Sequence, residues 1–200
     1  MSAAPGPGTC GRVDKCESWC VEERVRTLGV DFGRVINDGS SHPSGDDTTF
    51  LTGSEKVMLA TPEMTGAFDS LKRLTSLFGG RIWIVSKAGP RIQGNTERWL
   101  DHHDFFAATG MSSNHLRFVR RRADKAAVCQ ELGVTHFVDD RAEVLAALAG
   151  IVPHLYLFGP QTSPSDVNAL SVLTWAETER EIAESLYEWP KNDGTEARSD

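Results

Sequence analysis

Three short, largely apolar segments of this chain each lead into a polar residue, and this arrangement constrains the fold most. The segments and the residues that follow them are Val25–Val30 with Asp31, Arg81–Val85 with Ser86, and Thr135–Val138 with Asp139. Apolar runs of this length are typical of strands that are buried on both faces, as in parallel sheets. Because parallel strands end at a common edge of the sheet, we predict that the three polar side chains lie close together.

Segments with helical periodicity alternate with the predicted strands along the chain. Thr61, Pro62 and Glu63 fit the N-cap, the first position and the first turn of a helix that Gly79 ends. Further helices are predicted at Asn95–His102, Asp124–Leu132, Arg141–Ala149 and Trp175–Leu186, and two further strands at Leu116–Val119 and His154–Phe158. The alternation predicts a doubly wound, Rossmann-like α/β domain with a parallel sheet.

The polar residues at the strand ends also have purely structural explanations. Asp31 can cap its own turn, and Ser86 can be a turn serine. Asp139 and Asp140 can cap the helix that follows them, through a hydrogen bond and through the helix dipole. Lys125 opens a predicted helix, and a lysine in that place is usually solvated. Taken one by one, these residues leave both a structural and a catalytic interpretation open.

Their order along the chain resembles the four motifs of the haloacid dehalogenase-like (HAD) superfamily of hydrolases, which are mostly phosphatases. The resemblance covers about residues 25–158 and consists of Asp31, Ser86, Lys125 and the pair Asp139-Asp140. It implies that Asp31 attacks phosphorus to form an aspartyl phosphate, which splits one difficult displacement into two easier ones. It further implies that Ser86 grips the transferred phosphoryl group and that Lys125 neutralises charge.

The resemblance also implies a metal ion and a phosphate-binding surface. Mg²⁺ takes one or two carboxylates together with phosphate oxygens and waters. The implied ligands are Asp31, Asp139 and Asp140. Substrate contacts are assigned to Ser86, Lys87 and Arg120. Arg120 opens a run of three arginines after the third strand, where an anionic substrate would meet it, although such a run can equally be a solvated charge cluster.

Residues 37–60 contain Asp-Gly, Ser-Ser and Ser-Gly-Asp-Asp, which are turn signals, so we predict a long loop there. In the HAD resemblance this is the place where a flap or minimal cap is inserted beside the site. The segment is too short for a helical cap domain. We therefore expect a minimal-cap protein with an open site.

One position departs from the family pattern. Family phosphatases usually carry a second Asp two residues after the first, and this chain has Gly33 there. That Asp protonates the leaving oxygen and then activates water, and general acid–base catalysis contributes roughly 10²–10⁴-fold. Gly33 is compatible with a slow Mg²⁺-dependent phosphohydrolase for esters or anhydrides with good leaving groups, which we favour. It is also compatible with a dehalogenase-like enzyme, or with a catalytically impaired phospholigand-binding or regulatory protein. Dehalogenases use no metal, so Asp139-Asp140 disfavours that branch.

Composition narrows the class of partner. A net charge of −7 disfavours a nucleic-acid binder, which would need a basic face, so a small phosphorylated molecule is the expected partner. No apolar run approaches the ~20 residues that span a bilayer, and the N-terminus lacks the apolar core of a secretory signal. We therefore expect no membrane association and a cytoplasmic location.

With 40% hydrophobic residues, the chain can form one domain with a substantial core, which we place at residues 21–189. Residues 1–20 and 190–200 are rich in Pro, Gly and charged residues, so we expect mobile tails. Cys10, Cys16 and Cys20 lack the paired spacing of zinc sites. Cys129 lies in an apolar helical pattern and is expected to be buried.

Overall fold

The computed structural model describes residues 25–39, 53–162 and 166–188. Its strands are β1 (Leu28–Val30), β2 (Ile82–Lys87), β3 (Leu116–Val119), β4 (His136–Asp139), β5 (His154–Phe158) and β6 (Leu170–Val172). They pair in parallel, in the order β3-β2-β1-β4-β5-β6. This confirms the predicted doubly wound, Rossmann-like α/β fold, whose strand order reverses at β1.

Helices cover both faces of the sheet. They are α1 (Glu55–Leu59), α2 (Ala67–Leu77), α3 (Pro90–His102), α4 (Phe105–Thr109), α5 (Lys125–Glu131), α6 (Ala142–Leu148) and α7 (Trp175–Glu188), with a 3₁₀ turn at Arg122–Asp124. No helix in these described ranges is both long enough and apolar enough to cross a membrane.

The sheet separates two hydrophobic cores. Ile84 belongs to the first core, and its neighbour Val85 belongs to the second, because successive side chains of a strand point to opposite faces. Helices α2, α3 and α7 fill the first core with residues that include Leu71, Trp99 and Ile182. Helices α5 and α6 fill the second with residues that include Cys129 and Leu145. The predicted burial of Cys129 is confirmed, and this burial raises the pKa of its thiol to about 12.

Helix α2 begins later than the sequence predicts. The predicted N-cap was Thr61, yet the helix starts at Ala67. Residues 62–64 instead run beside the segment after β1: Asp38 donates to the Pro62 carbonyl at 2.9 Å, and Met64 donates to the Ile36 carbonyl at 2.7 Å. These tertiary hydrogen bonds override the local helix-start signal. Helix α3 differs in the opposite sense, since it begins at Pro90 rather than Asn95.

Three short elements were not predicted. They are α1, α4 and β6, of three to five residues each. Segments of this length are too short to show a hydrophobic period, so the sequence gives no clear signal for them. Helix α1 lies within the predicted loop 37–60, so the end of that loop is helical; residues 40–52 lie outside the described ranges. The predicted tails 1–20 and 190–200, and with them Cys10, Cys16 and Cys20, also lie outside the described residues.

Candidate active site

The carboxyl ends of β1 and β4 lie side by side where the strand order reverses. β1 pairs with β2 on one side and with β4 on the other. Asp31 directly follows β1, and its backbone N–H donates to the Val138 carbonyl at 2.9 Å. Asp139 is the last residue of β4. The two acids therefore stand at the position where open α/β sheets bind ligands.

A cleft opens at this edge of the sheet. Asp31, Ser86, Lys125, Asp139 and Asp140 all line it. The strand pattern predicts the convergence of Asp31, Ser86 and the Asp139-Asp140 pair. The structure also brings Lys125 there, although it is 94 positions from Asp31 in the chain. Their catalytic and metal-binding roles remain predictions.

Lys125 lies between two carboxylates. Its Nζ is 2.8 Å from Oδ1 of Asp31 and 2.7 Å from Oδ2 of Asp139. The Lys125 residue is 2% exposed, Asp139 is fully buried and Asp31 is 9% exposed. A buried ammonium group is stable only when it is paired and hydrogen-bonded, and both conditions hold here. The interpretation of Lys125 as a solvated helix residue is therefore wrong.

Charge is unevenly balanced around Lys125. Burial lowers the pKa of Lys125, but the attraction of Asp31 and Asp139 outweighs burial and raises it overall. Burial, reinforced by repulsion from Asp31, raises the pKa of Asp139 to about 7 despite the attraction of Lys125. Burial and the charge of Asp31 likewise raise the pKa of Asp140. Burial and mutual repulsion thus disfavour the charged forms of Asp139 and Asp140, despite the nearby Lys125 and Arg34.

The three acids suit a hard divalent cation. One carboxylate oxygen from each of Asp31, Asp139 and Asp140 lies within 4.8 Å of the others. An ionised carboxylate offers about four acceptor positions, so the contacts with Lys125 leave capacity for further ligation. Oxygen donors with excess negative charge are the environment that Mg²⁺ prefers. The residues therefore fit the metal that the sequence resemblance implies.

Asp139 does not cap α6 as the structural interpretation of the sequence proposed, but it does hold the turn before that helix. Its Oδ1 accepts a hydrogen bond from the backbone N–H of Arg141 at 2.9 Å, immediately before α6. This contact fixes the carboxylate while Oδ2 holds Lys125. Asp139 therefore stabilises the turn between β4 and α6, while the N-cap of α6 is Arg141, which has no side-chain cap.

Two of the three predicted substrate-binding residues line the cleft. Ser86 and Lys87 form the last two residues of β2, so the strand extends beyond its predicted end at Val85. Ser86 is 8% exposed, Lys87 is exposed, and both line the cleft. Arg120 follows β3 and is exposed, but it is not among the described residues that line the cleft.

Two other arginines line the cleft instead. Arg122 stands in the 3₁₀ turn before α5, and Arg141 directly follows the acid pair. Arg122 belongs to the same run as Arg120, and a run of three arginines does not reveal which one faces the site. The adjacency of Arg141 to Asp140 was an available signal, although a backbone neighbour need not share its direction.

The chain reverses direction directly after β1. Ile36 and Asn37 both donate from their backbone N–H groups to the Phe32 carbonyl, at 2.9 and 3.1 Å, and Arg34 donates to the Asn37 carbonyl at 2.8 Å. Arg34 has a φ of 58°, a left-handed conformation that non-glycine residues seldom adopt. In this conformation its guanidinium forms an ion pair with Asp140. Arg34 thereby brings a positive charge to the third carboxylate of the site.

The same turn contains the position of the missing acid and an unusual amide. A Cβ placed on Gly33 would meet nothing within 4 Å, so the space beside it is open. Asn37 is 2% exposed and lines the cleft, yet its Nδ2 has no hydrogen-bond partner within the described part of the chain. Buried polar groups nearly always have partners, and leaving one unsatisfied costs about 1–3 kcal/mol. No sequence signal marked Asn37.

Comparison with solved structures supports the fold. The chain is similar to a haloacid dehalogenase-like hydrolase from Burkholderia xenovorans LB400, with a TM-score of 0.55, 13% identity and coverage of 80% of this chain and 97% of the other. It is also similar to a haloacid dehalogenase-like family hydrolase from Xanthomonas campestris, with a TM-score of 0.50, 10% identity and coverage of 80% and 96%. No protein-family model matches the sequence, and no curated protein sequence is significantly similar to it. At these identities the comparison establishes the HAD-like fold.

Proposed function

We propose that this protein is a Mg²⁺-dependent hydrolase of the HAD type, which cleaves phosphate esters or anhydrides through an aspartyl phosphate on Asp31. The observation that carries the proposal is the bridging of Asp31 and Asp139 by the buried Nζ of Lys125, inside a cleft at the reversal of strand order. Burying three charged groups is expensive, and clusters of this kind are concentrated at functional sites.

In the first step, Oδ2 of Asp31 attacks phosphorus, because Oδ1 is held by Lys125. A bond forms between the carboxylate oxygen and phosphorus, and the bond from phosphorus to the leaving oxygen breaks. The leaving oxygen keeps the bonding electron pair and departs as an anion. Lys125 offsets the charge of the carboxylate and the phosphoryl group, while Ser86 and Lys87 contact the phosphoryl oxygens.

In the second step, water attacks phosphorus and the bond between phosphorus and Asp31 breaks. Asp31 recovers its carboxylate charge, and both protons of the water stay on the released phosphate as H₂PO₄⁻. Asp31, Asp139 and Asp140 would hold Mg²⁺, which supplies positive charge that reduces the repulsion between the carboxylate and the phosphate dianion.

Gly33 restricts the chemistry. Without a carboxylic acid in this position, leaving oxygens of low basicity are favoured, because they depart without being protonated. Acyl phosphates, phosphoanhydrides and aryl phosphates meet that requirement. The absence of a base at Gly33 also slows hydrolysis of the aspartyl phosphate, so this intermediate should accumulate.

Hydrolysis of a chromogenic aryl phosphate tests the proposal. We expect turnover with Mg²⁺, and its loss on chelation and in Asp31→Asn. The same Gly33 supports a second candidate from another class, a phospholigand-binding or regulatory protein on this fold. Thermal stabilisation by a phosphorylated ligand, with no turnover of any phosphate ester or anhydride, would favour this second function.

A further inference from the structure

The backbone of Asn37 is held by hydrogen bonds, whereas its side-chain amide nitrogen has no partner among the described residues. The backbone N–H of Asn37 donates to the Phe32 carbonyl at 3.1 Å, and the backbone carbonyl of Asn37 accepts from the backbone N–H of Arg34 at 2.8 Å. The preceding turn is fixed from outside as well, because the indole Nε1 of Trp175 donates to the Val35 carbonyl at 2.7 Å. The backbone of the segment is thus satisfied, while the buried Nδ2 has no partner among the described residues.

This unpartnered donor lies beside the position of the missing acid. Gly33 and Asn37 form an isolated β-bridge, so the two residues face each other across the turn. Both line the cleft that contains Asp31 and Lys125. A buried donor that lacks a partner among the described residues, on a backbone held by hydrogen bonds, is the expected arrangement for a group that bonds to a substrate, because the substrate then supplies the missing acceptor.

We propose that Asn37 is a catalytic residue whose amide N–H donates to the leaving oxygen of the substrate, and that it directs specificity toward weakly basic leaving groups. This inference rests on the proposed phosphohydrolase function. An amide donates a hydrogen bond but does not give up its proton at physiological pH. As the bond from phosphorus to the leaving oxygen breaks, that oxygen keeps the electron pair, and Asn37 stabilises the developing charge without any proton transfer.

The inference keeps the substrate class that Gly33 implies and adds a group that stabilises its leaving oxygens. Acyl phosphates, phosphoanhydrides and aryl phosphates release an oxygen that a neutral donor stabilises sufficiently. Alkyl phosphates release a strongly basic alkoxide that needs a proton, which neither Gly33 nor Asn37 provides. We therefore expect a steep decline in rate with increasing basicity of the leaving group.

Two substitutions test the donor. Asn37→Leu removes the amide at similar volume, and Asn37→Asp replaces it with a carboxylate of nearly the same shape. Both should lower kcat/KM for an aryl phosphate, by about 10²-fold in Asn37→Leu, because removing one donor from a preorganised site has an effect of this order. Both should also weaken binding of inorganic phosphate in the presence of Mg²⁺ by about tenfold or more, since the fourth phosphate oxygen occupies the place of the leaving oxygen.

Thermal unfolding separates this role from a structural one. Replacing an unsatisfied buried amide by an apolar group should leave the melting temperature of Asn37→Leu unchanged or raise it. The matched control is Asn95→Leu, at a 7% exposed asparagine whose side-chain oxygen accepts from Arg98 at 2.6 Å. This control should lose stability and keep the phosphate affinity of the wild type.

The outcomes distinguish this inference from the proposed function. Unchanged phosphate affinity in Asn37→Leu, or full affinity in Asn37→Asp, would overturn the role of Asn37 even if the enzyme is active. A wild type that binds phosphate through Asn37 but hydrolyses nothing would leave Asn37 as a phosphate-binding donor only, and would reject both its catalytic role and the hydrolase. A wild type that neither binds phosphate nor hydrolyses any substrate would reject both.

Discussion

The two ends of β4 bury polar side chains in opposite ways. At the carboxyl end, the fully buried Asp139 contacts the ammonium of Lys125 at 2.7 Å. At the amino end, His136 is equally buried. Within the described residues, its ring forms hydrogen bonds only with the hydroxyls of Thr135 and Ser185, at 2.7 and 3.1 Å. The His136 ring also stacks on the ring of His154, with centroids 4.4 Å apart.

Burial removes charge at the amino end of the strand. It lowers the pKa of His136 to about 3 and raises the pKa of Tyr156, which donates to the same Ser185 hydroxyl, to about 12. Both groups therefore stay neutral near pH 7. At the carboxyl end, Lys125 supplies an opposite charge. The neutral network thus needs no opposite charge, whereas the charged cluster depends on Lys125, as the proposed chemistry requires.

The largest expected effect comes from removing the cation at the charged end. Lys125→Met keeps the length of the side chain but leaves Asp31 and Asp139 buried without their partner. We expect the free energy of unfolding to fall by about 3–5 kcal/mol, the usual effect of breaking a buried ion pair on one side. Urea denaturation measures this change.

The control for Lys125→Met is Lys72→Met, on an exposed position of α2, which should change stability by less than about 0.5 kcal/mol. If Lys125→Met were as stable as this control, the charged cluster would not depend on Lys125 for its stability, and the contrast between the two ends of β4 would be lost.

At the amino end of β4, His136 should make the stability of the protein depend on pH. Between about pH 6.5 and pH 3 the unfolded chain binds a proton at His136 that the folded protein excludes, so stability falls as the pH falls. From pH 7 to pH 5 this contribution amounts to about 2 kcal/mol. His136→Gln should therefore lose about that much less stability over this interval than the wild type.

Denaturant titrations at pH 7 and pH 5 measure this difference. His102→Gln, at an exposed position of α3, should follow the wild type at both values. Parallel profiles for His136→Gln and the wild type would show that His136 takes up its proton normally in the folded state, contrary to the neutral network described here.

Mg²⁺ should stabilise the folded protein through the acidic residues at the carboxyl end of β4. Adding Mg²⁺ at about ten times its dissociation constant stabilises the folded state by about 1.4 kcal/mol, which corresponds to a melting temperature some 3–5 °C higher in a chain of this size. Differential scanning fluorimetry measures the shift. It should vanish in the double variant Asp139→Asn/Asp140→Asn and persist in the exposed Asp101→Asn. A wild type with no shift at any Mg²⁺ concentration would argue against the metal site.

The smallest effect concerns the open position at Gly33. Gly33 has no positive φ and its surroundings are empty, so Gly33→Asp should fold without strain. The new carboxylate should raise the ratio of alkyl to aryl phosphate hydrolysis about fivefold, a small part of the full effect of an acid–base residue. Gly33→Asn is the control for size. An equal ratio in both variants would mean that a carboxylate at this position does not act as an acid.

The sequence predicts the sheet edge well because strand ends are local features that parallel topology brings together. Asp31, Ser86 and Asp139 follow apolar runs, and their meeting in one cleft needs only the strand order. Arg34 and Asn37 could not be found in this way. Their roles depend on a turn fixed by Trp175, 140 positions after Val35, and on a φ that sequence does not reveal.

The start of α2 was wrong, and the arginine of the run that lines the cleft could not be identified from sequence, for a similar reason. Pro62 and Met64 pair with the segment after β1, and that contact exists only in the folded chain. The inward position of Arg122 depends on the 3₁₀ turn that precedes α5. Local propensity is outweighed wherever a distant segment supplies the hydrogen bonds.

The central claim is that Asp31 becomes phosphorylated, and rapid acid quench with mass spectrometry tests it most directly. After mixing with a chromogenic aryl phosphate and Mg²⁺, we predict a burst of about one equivalent of phenolate, because Gly33 slows the second step. The peptide that contains Asp31 should gain the mass of one phosphoryl group, and Asp31→Asn should show neither the burst nor the added mass. A phosphoryl group on another residue, or equal phenolate release by Asp31→Asn and the wild type, would contradict the account.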